Sequence, residues 1–240
     1  MDLKLIHKQK IASDSWELIF DKPEGFFYEP GQFIEINLEH PNPDDRGFKR
    51  WFTLSSSPSE SDLMVTSRLV SEHSTFKDAL FKLKAGDSIK ASEPMGKFTL
   101  PTDVTKKIVW IAGGIGITPF RSQMKFLLDN QESRDVTLIY SNRSLKDVCF
   151  QDLWDQAQEN LPSFKYVQTL VDEIPSDWQA EKGFVDGAML ERVITNLNEC
   201  EFFISGPEPM VEAFKPILTG MNIEEKYIHQ DWFPNYTEKY

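Results

Sequence analysis

The stretch Ile108-Val109-Trp110-Ile111-Ala112-Gly113-Gly114-Ile115-Gly116-Ile117-Thr118-Pro119-Phe120 decides how the chain is read. Its first five residues are all apolar and read as a strand buried on both faces. Glycines then make a tight turn, after which Phe120, Met124, Leu127 and Leu128 fall at helical spacing as far as Asp129. A strand, a glycine turn and a helix in this order bring backbone N–H groups close to a phosphate and set its charge at the positive end of the helix. Thr118 is placed to cap that helix and Pro119 to begin it. The same glycines could serve only to pack strand against helix, so the pattern alone leaves both readings open.

Working outward, the pattern repeats downstream. Strand-like segments at 136–140, 164–171, 202–205 and 227–228 alternate with helix-like ones at 150–158, 188–197 and 210–218. This alternation predicts a parallel sheet with right-handed crossovers and helices on both faces. Upstream, short β segments at 3–6, 15–20, 32–38, 51–54, 62–70 and 87–91 are separated by Pro, Gly, Asn and Asp, as in a small antiparallel barrel. One helix is expected there, over 74–83, with Phe76, Leu80 and Leu83 on one face. Pro101-Thr102-Asp103 suits a linker. The expected organisation is an antiparallel β-barrel domain over 1–103 and an α/β parallel-sheet nucleotide-binding domain over 104–240.

Composition narrows the function. The 240 residues carry 26 Lys and Arg against 38 Asp and Glu, a net charge of -12, with 40% hydrophobic residues. That is a globular balance, and its acid excess leaves no electrostatic footprint for nucleic acid or an anionic membrane surface. Residues 1–103 hold 13 basic and 17 acidic side chains and 104–240 hold 13 and 21, so neither half is basic. Cys149 and Cys200 are too few for a disulfide framework or a four-thiolate metal site, and read as small buried hydrophobes. His7, His40, His73 and His229 show no metal-ligand spacing, and neither Gly-x-Ser-x-Gly nor His-Glu-x-x-His occurs. The first ten residues lack a signal-peptide core, and the apolar run 108–120 is too short for a bilayer. The expectation is a cytoplasmic protein, monomeric or weakly dimeric, with no metal, nucleic acid or membrane insertion.

Three further stretches carry chemistry. Ile204-Ser205-Gly206-Pro207-Glu208-Pro209-Met210 lies at the carboxyl end of a later strand, the edge where open α/β sheets bind ligands. Tyr140-Ser141-Asn142-Arg143 ends the second strand without the acidic residue that would hold a free ribose 2′-hydroxyl. Ser141 and Arg143 are of the kind that holds a 2′-phosphate, which tilts the expectation to NADPH over NADH. Arg143 as a solvated loop cation stays open. In the first half, Arg50-Trp51-Phe52-Thr53-Leu54-Ser55-Ser56 combines a cation for a phosphate, an aromatic face for a planar ring and hydroxyls.

Taken in order, these stretches resemble the ferredoxin-NADP reductase superfamily of flavoproteins over nearly the whole chain. Residues 50–53 are similar to that family's flavin motif of Arg, any residue, Tyr, and Ser or Thr. Residues 113–119 are similar to its pyrophosphate turn, and 205–210 to its Cys-Gly-Pro-x-x-Met motif. Pro30-Gly31-Gln32-Phe33 and Met95-Gly96-Lys97-Phe98-Thr99-Leu100 are similar to further landmarks. The resemblance implies FAD and NADPH or NADH as cofactors. Arg50 would bind flavin phosphate, Phe52 would stack on the isoalloxazine with Trp51 beside it, and Thr53 would bond near N5. Thr66, Ser67 and Arg68 would border the flavin, with Ser74 and Thr75 at the helix that faces its pyrophosphate.

On the nucleotide side, Gly113, Gly114 and Gly116 would cradle the dinucleotide, Thr118 and Pro119 would lie near the nicotinamide, and Gly206, Pro207 and Met210 would line its channel. Thr53, Ser205 and Asp231 would serve the chemistry, and Trp232 or Phe233 would shield the flavin. Phe52 stands where the family more often has Tyr, Ser205 where it has Cys, and the glycine before the pyrophosphate helix is absent at 71–74. The implied activity is hydride transfer from NAD(P)H to flavin, then electron delivery to a protein such as ferredoxin or flavodoxin, or to a small molecule. Alternatives are a non-catalytic flavin- or nucleotide-binding module and a flavin reductase releasing reduced flavin. Acidic carriers would require a local basic dock on this acidic chain, for which Lys82, Lys84, Lys90 and Lys97 are candidates.

Overall fold

A computed structural model describes residues 1–233, without the side chains of Trp232 and Phe233. Its first sheet is built from β1 (Asp2–Lys10), β2 (Ser15–Asp21), β3 (Phe33–Asn37), β4 (Lys49–Thr53), β5 (Asp62–Arg68) and β6 (Ser88–Ala91). The order is β4-β3-β6-β1-β2-β5, antiparallel throughout, and a bridge between Leu54 and Val65 joins the two outer strands into a barrel. Closure removes the free edges that such short strands would otherwise expose. Alternation does the sorting: Ile34 and Ile36 of β3 and Leu63 and Val65 of β5 are fully buried in one core with Leu3, Leu18 and Phe20. Helix α1 (Thr75–Lys82) packs Phe76 and Leu80 into the same core. It starts where Ser74, in extended conformation, accepts a hydrogen bond from the Lys77 N–H at 3.2 Å.

The second sheet contains β7 (Lys107–Gly113), β8 (Val136–Ser144), β9 (Phe164–Glu173), β10 (Glu181–Lys182), β11 (Cys200–Pro207) and β12 (Ile228–Phe233). All pairs are parallel, in the order β10-β9-β8-β7-β11-β12. The chain winds from β7 outward to β10 and returns to the other side of β7, so the winding reverses between β7 and β11. That is where open α/β sheets hold ligands. Strand β7 feeds both faces. Trp110 and Ala112 pack with Phe120 and Met124 of α2 (Thr118–Asp129) and Trp154 of α3 (Gln151–Asn160). Val109 and Ile111 pack with Leu190 of α4 (Gly187–Val193) and Phe214 and Leu218 of α5 (Glu208–Gly220).

Three local expectations change. The glycine turn is itself helical: a 3-10 turn over Gly114–Ile117 runs into α2, and Thr118 has helical angles (φ -59°, ψ -44°), so it does not cap the helix. The positive helix end therefore begins at the glycines. Helix α4 stops at Val193, not at 197, because Ile194 is extended and Asn196 takes a left-handed conformation (φ 57°). The two-residue β10 was not expected.

Strands of the first sheet lie within residues 2–91 and those of the second within 107–233. Helix α2 docks onto the barrel. Gln123 donates to the Phe98 carbonyl at 2.9 Å, and Phe98 packs on Phe120 and Phe203. The turn at Gly31 (φ +101°) passes so near that a Cβ there would sit 2.1 Å from the Phe98 carbonyl oxygen. The Pro30-Gly31 and Met95–Leu100 landmarks thus meet each other. Among the described residues, no helix is long and apolar enough to cross a membrane.

Candidate functional site

The carboxyl ends of β7 and β11 carry the two glycine turns into direct contact. A Cβ at Gly116 would lie 2.2 Å from the Ser205 carbonyl oxygen and 2.6 Å from Gly206 Cα, and one at Gly113 would lie 2.3 Å from Met210 Sδ. At Gly116, where the neighbours are backbone atoms, packing of turn on turn therefore demands glycine by itself, whereas at Gly113 the Met210 side chain could give way. Gly113, Gly114 and Ile115 line a cleft of about 310 Å3, with the start of the 3-10 turn and α2 behind it.

One wall of the cleft comes from Ser141, Asn142 and Arg143 of β8, another from Phe184, Val185, Pro209 and Met210. The barrel supplies Asp14, Ser15 and Arg68. Arg68, expected along the flavin, lines this cleft, with Nε 2.9 Å from Asp14 Oδ1 and Nη2 2.5 Å from Oδ2. Arg143 stands beside Asp172 (Nε–Oδ2 3.5 Å), an acid at the end of β9 that the search for an acid at the end of β8 passed over. Asn142 is 4% exposed, and neither amide atom has a hydrogen-bond partner among the described residues. Its place between Ser141 and Arg143 was the only signal for it.

Ser205 and Asp231 come together. They face each other in the β11–β12 register, with Ala112 of β7 on the other side of Ser205. Burial pushes the Asp231 carboxyl up to about 6, with the Ser205 hydroxyl acting in the opposite direction. That hydroxyl is fully buried and lies near enough to act on the carboxyl, but makes no hydrogen bond of good geometry among the described residues. Thr118 and Pro119 are buried at the head of α2, and Gly206 and Pro207 close β11. The roles expected of Trp232 and Phe233 rest on side chains outside the described residues.

On the barrel, the alternation of β4 sends Arg50 and Phe52 to one face and Trp51 to the other. Phe52 stacks on Phe76 (6.1 Å, 26°), and the Arg50 guanidinium lies 5.0 Å over the same ring. Phe76 is the second residue of α1, so the cation stands by a helix N-terminus capped by Ser74, with Thr75 exposed beside it. A guanidinium next to a helix N-terminus is a donor set for phosphate. Arg50 is at present held by Asp44 (Nη2–Oδ1 2.5 Å) and by the Gly47 and Lys49 carbonyls (3.1 and 2.7 Å), while its Nε is buried without a partner among the described residues. Burial opposes ionisation of Asp44, but hydrogen bonds from Arg50 and Arg46 hold its carboxyl below the ordinary range.

Trp51, 58% exposed, leans instead on Phe33 (5.6 Å) and does not join Arg50 and Phe52. Thr53 and Ser67 are buried, and Thr66 shares a hydrogen bond with Ser55 (2.7 Å). Lys82 pairs with Asp78 at 2.7 Å, and Lys90 lies on β6, separated from β4 by β3. Among the described residues no group of three His, Cys, Asp or Glu side chains is placed to hold a metal ion.

Comparison with known proteins agrees with this geometry. Residues 110–215 match the sequence model of the oxidoreductase NAD-binding domain. The chain is 26% identical over 232 residues to the glycine betaine monooxygenase reductase subunit of Chromohalobacter salexigens, an alignment covering 93% of this chain and 62% of that protein. It therefore spans less than two thirds of the length of that relative. The crystal structure of the Amycolatopsis cytochrome P450 reductase GcoB superposes with a TM-score of 0.83 at 26% identity, covering 97% of this chain and 70% of that one. The FAD/NAD-binding domain of Vibrio cholerae nitric oxide dioxygenase superposes with a TM-score of 0.82 at 20% identity, covering 97% and 98%, and so shares the fold. A closed antiparallel barrel followed by a parallel sheet is the fold the chain shares with these proteins, and in sequence and fold it is similar over nearly its whole length to ferredoxin-NADP reductase-like FAD/NAD-binding proteins.

Proposed function

We propose that the chain is an FAD-dependent NAD(P)H reductase that delivers electrons to a separate protein acceptor. The carrying observation is the cleft at the carboxyl edge of the parallel sheet: a glycine turn and a positive helix end face a wall supplied by the barrel. Those features fit the pyrophosphate of a dinucleotide. The barrel fits the second cofactor, because Arg50 and the Ser74-capped end of α1 lie together as phosphate donors with Phe52 alongside. FAD bound there would supply acceptance of a hydride from NAD(P)H and onward delivery of two electrons.

The chain's own part is placement and exclusion of water. Arg50 and the α1 N-terminus hold the flavin phosphate, for which Asp44 must give way or share the guanidinium. Ser205 and Asp231 present a buried hydroxyl and a carboxyl of raised pKa at the edge where the nicotinamide turn closes. Arg143, with Ser141, reads the 2′-position. Reductase subunits and a cytochrome P450 reductase among the similar proteins favour a protein acceptor over release of reduced flavin.

The test is anaerobic titration of the FAD-reconstituted protein with NADPH and NADH. Bleaching of the flavin absorbance near its maximum is expected. Bound flavin that neither nicotinamide reduces would instead mark a binding module, and weak, exchanging flavin would mark a flavin reductase.

A further inference from the structure

We infer that the ion pair between Arg121 and Glu60 is a positioning device that sets the spacing between the flavin strand and the dinucleotide turn. This rests on the functional reading above and deepens it. Arg121 lies three residues beyond Thr118, in the first turn of the helix that the glycine turn opens. Glu60 closes the loop that β4 enters after Thr53. The two groups meet in fork-to-fork geometry, one contact at 2.9 Å (Nη2–Oε1) and the second, from Nη1 to Oε2, shorter. Arg121 Nη1 also donates to the Ser55 carbonyl at 3.0 Å, two residues past Thr53. A bidentate Arg–carboxylate pair fixes orientation as well as distance.

Both ends are anchored. The Glu60 carboxylate accepts from the Ser57 N–H at 2.6 Å, so its aim is set by its own loop. Lys22 ties that loop to the barrel through the Pro58 carbonyl (2.6 Å). Ser122, next to Arg121 and fully buried, donates to the Ser56 carbonyl at 2.5 Å, and the Tyr28 hydroxyl donates to the same oxygen at 3.0 Å. The pair is largely buried, with side-chain exposures of 12% and 22%, so solvent screens it little. Ser122 to the Ser56 carbonyl joins the same two segments through neutral groups, whereas the contact of Ser59 with Asp129 (2.6 Å) reaches only the far end of α2. Only a link between the two cofactor-bearing segments sets the approach of nicotinamide to flavin, and a displacement of about 1 Å in such an approach costs on the order of 100-fold in rate.

The test uses the FAD-loaded protein in anaerobic stopped flow, reading the limiting rate of flavin reduction, the dissociation constant for NADH and NADPH, and the long-wavelength charge-transfer band of the stacked rings. Glu60→Gln is expected to lower the limiting rate about tenfold or more and weaken the band, with dinucleotide affinity changed less than about twofold. Arg121→Lys, which keeps the charge but not the fork, is expected to fall between wild type and Arg121→Met. Ser59→Ala removes another contact of the same loop, to Asp129 (2.6 Å) at the far end of α2, and is expected to leave rate and band unchanged.

Should Glu60→Gln not fold, Glu60→Asp shifts the pair by one methylene and is expected to act in the same direction. A rapidly reduced wild type with an equally rapid Glu60→Gln, band intact and only the melting temperature lowered, would overturn the inference and leave the reductase reading standing. A wild-type flavin that no nicotinamide reduces would overturn both.

Discussion

Replacing Asp231 by Asn tests the electrostatics of the site most directly, because the structure sets both sign and size. Burial raises the carboxyl from 3.8 to about 6. In the unfolded chain the group ionises near its ordinary value, so the folded state binds the extra proton between the two. Its relative stabilisation is complete below pH 4 and is lost as pH rises through about 6. At pH 5 the folded protein still gains about 1.4 kcal/mol from this group relative to pH 8, where the gain is gone. Asp231→Asn cannot titrate and lacks this component. The difference in melting temperature, variant minus wild type, should therefore be more positive at pH 8 than at pH 5 by about 3 to 5 °C for a chain of this size. Differential scanning fluorimetry at both pH values measures it, at one ionic strength. The same difference at pH 5 and pH 8 would show that Asp231 titrates normally and that its neighbours are better hydrated than the β11–β12 register indicates. The carboxylate should also leave a step near pH 6 in the limiting rate of flavin reduction, absent from the variant.

Two substitutions address the cleft. Gly116→Ala forces a methyl to 2.2 Å from the Ser205 carbonyl oxygen, so the turns must part by about 1 Å, at a stability cost of about 1–3 kcal/mol. Reduction by NADPH should be lost while FAD still binds the barrel, as measured by flavin fluorescence alongside the reduction assay. Arg143→Ala should raise the Michaelis constant for NADPH about tenfold or more through loss of charge-assisted bonds to the 2′-phosphate and leave that for NADH unchanged, in steady-state assays with an artificial acceptor.

Much of the fold is legible from local pattern. The apolar run of β7 reads as a strand covered on both faces because every one of its residues from Ile108 to Ala112 meets a core, and alternate residues meet different ones. Ile34 and Ile36 likewise declare the inner face of β3. The same period-two rule separates Trp51 from Arg50 and Phe52, and a reading that takes the motif as one block overlooks it. What local pattern does not carry is the meeting of distant segments. Arg68 lines the cleft at the carboxyl edge of the parallel sheet, and the pairing of β2 with β5 brings Asp14 beside it, 54 residues away in sequence. Glu60 and Arg121 are 61 residues apart and look like ordinary surface charges until α2 docks.

The glycines show why a motif can be right for two reasons at once. Gly116 is required because β7 and β11 are neighbours in the sheet, which brings the Ser205 backbone against the first turn, while at Gly113 the nearest neighbour is the movable Met210 side chain. A chain with no ligand would need Gly116 equally. Gly113 and Gly114 of the same turn line the cleft at the start of the helix, so packing and the proposed phosphate site draw on one stretch of backbone. A substitution at these glycines therefore damages both and cannot apportion them. Groups proposed to act on the reaction without packing the glycine turns can: the Asp231 carboxyl, through its pH dependence, and the Arg121–Glu60 pair as a positioning device, through a rate that falls while affinity stays.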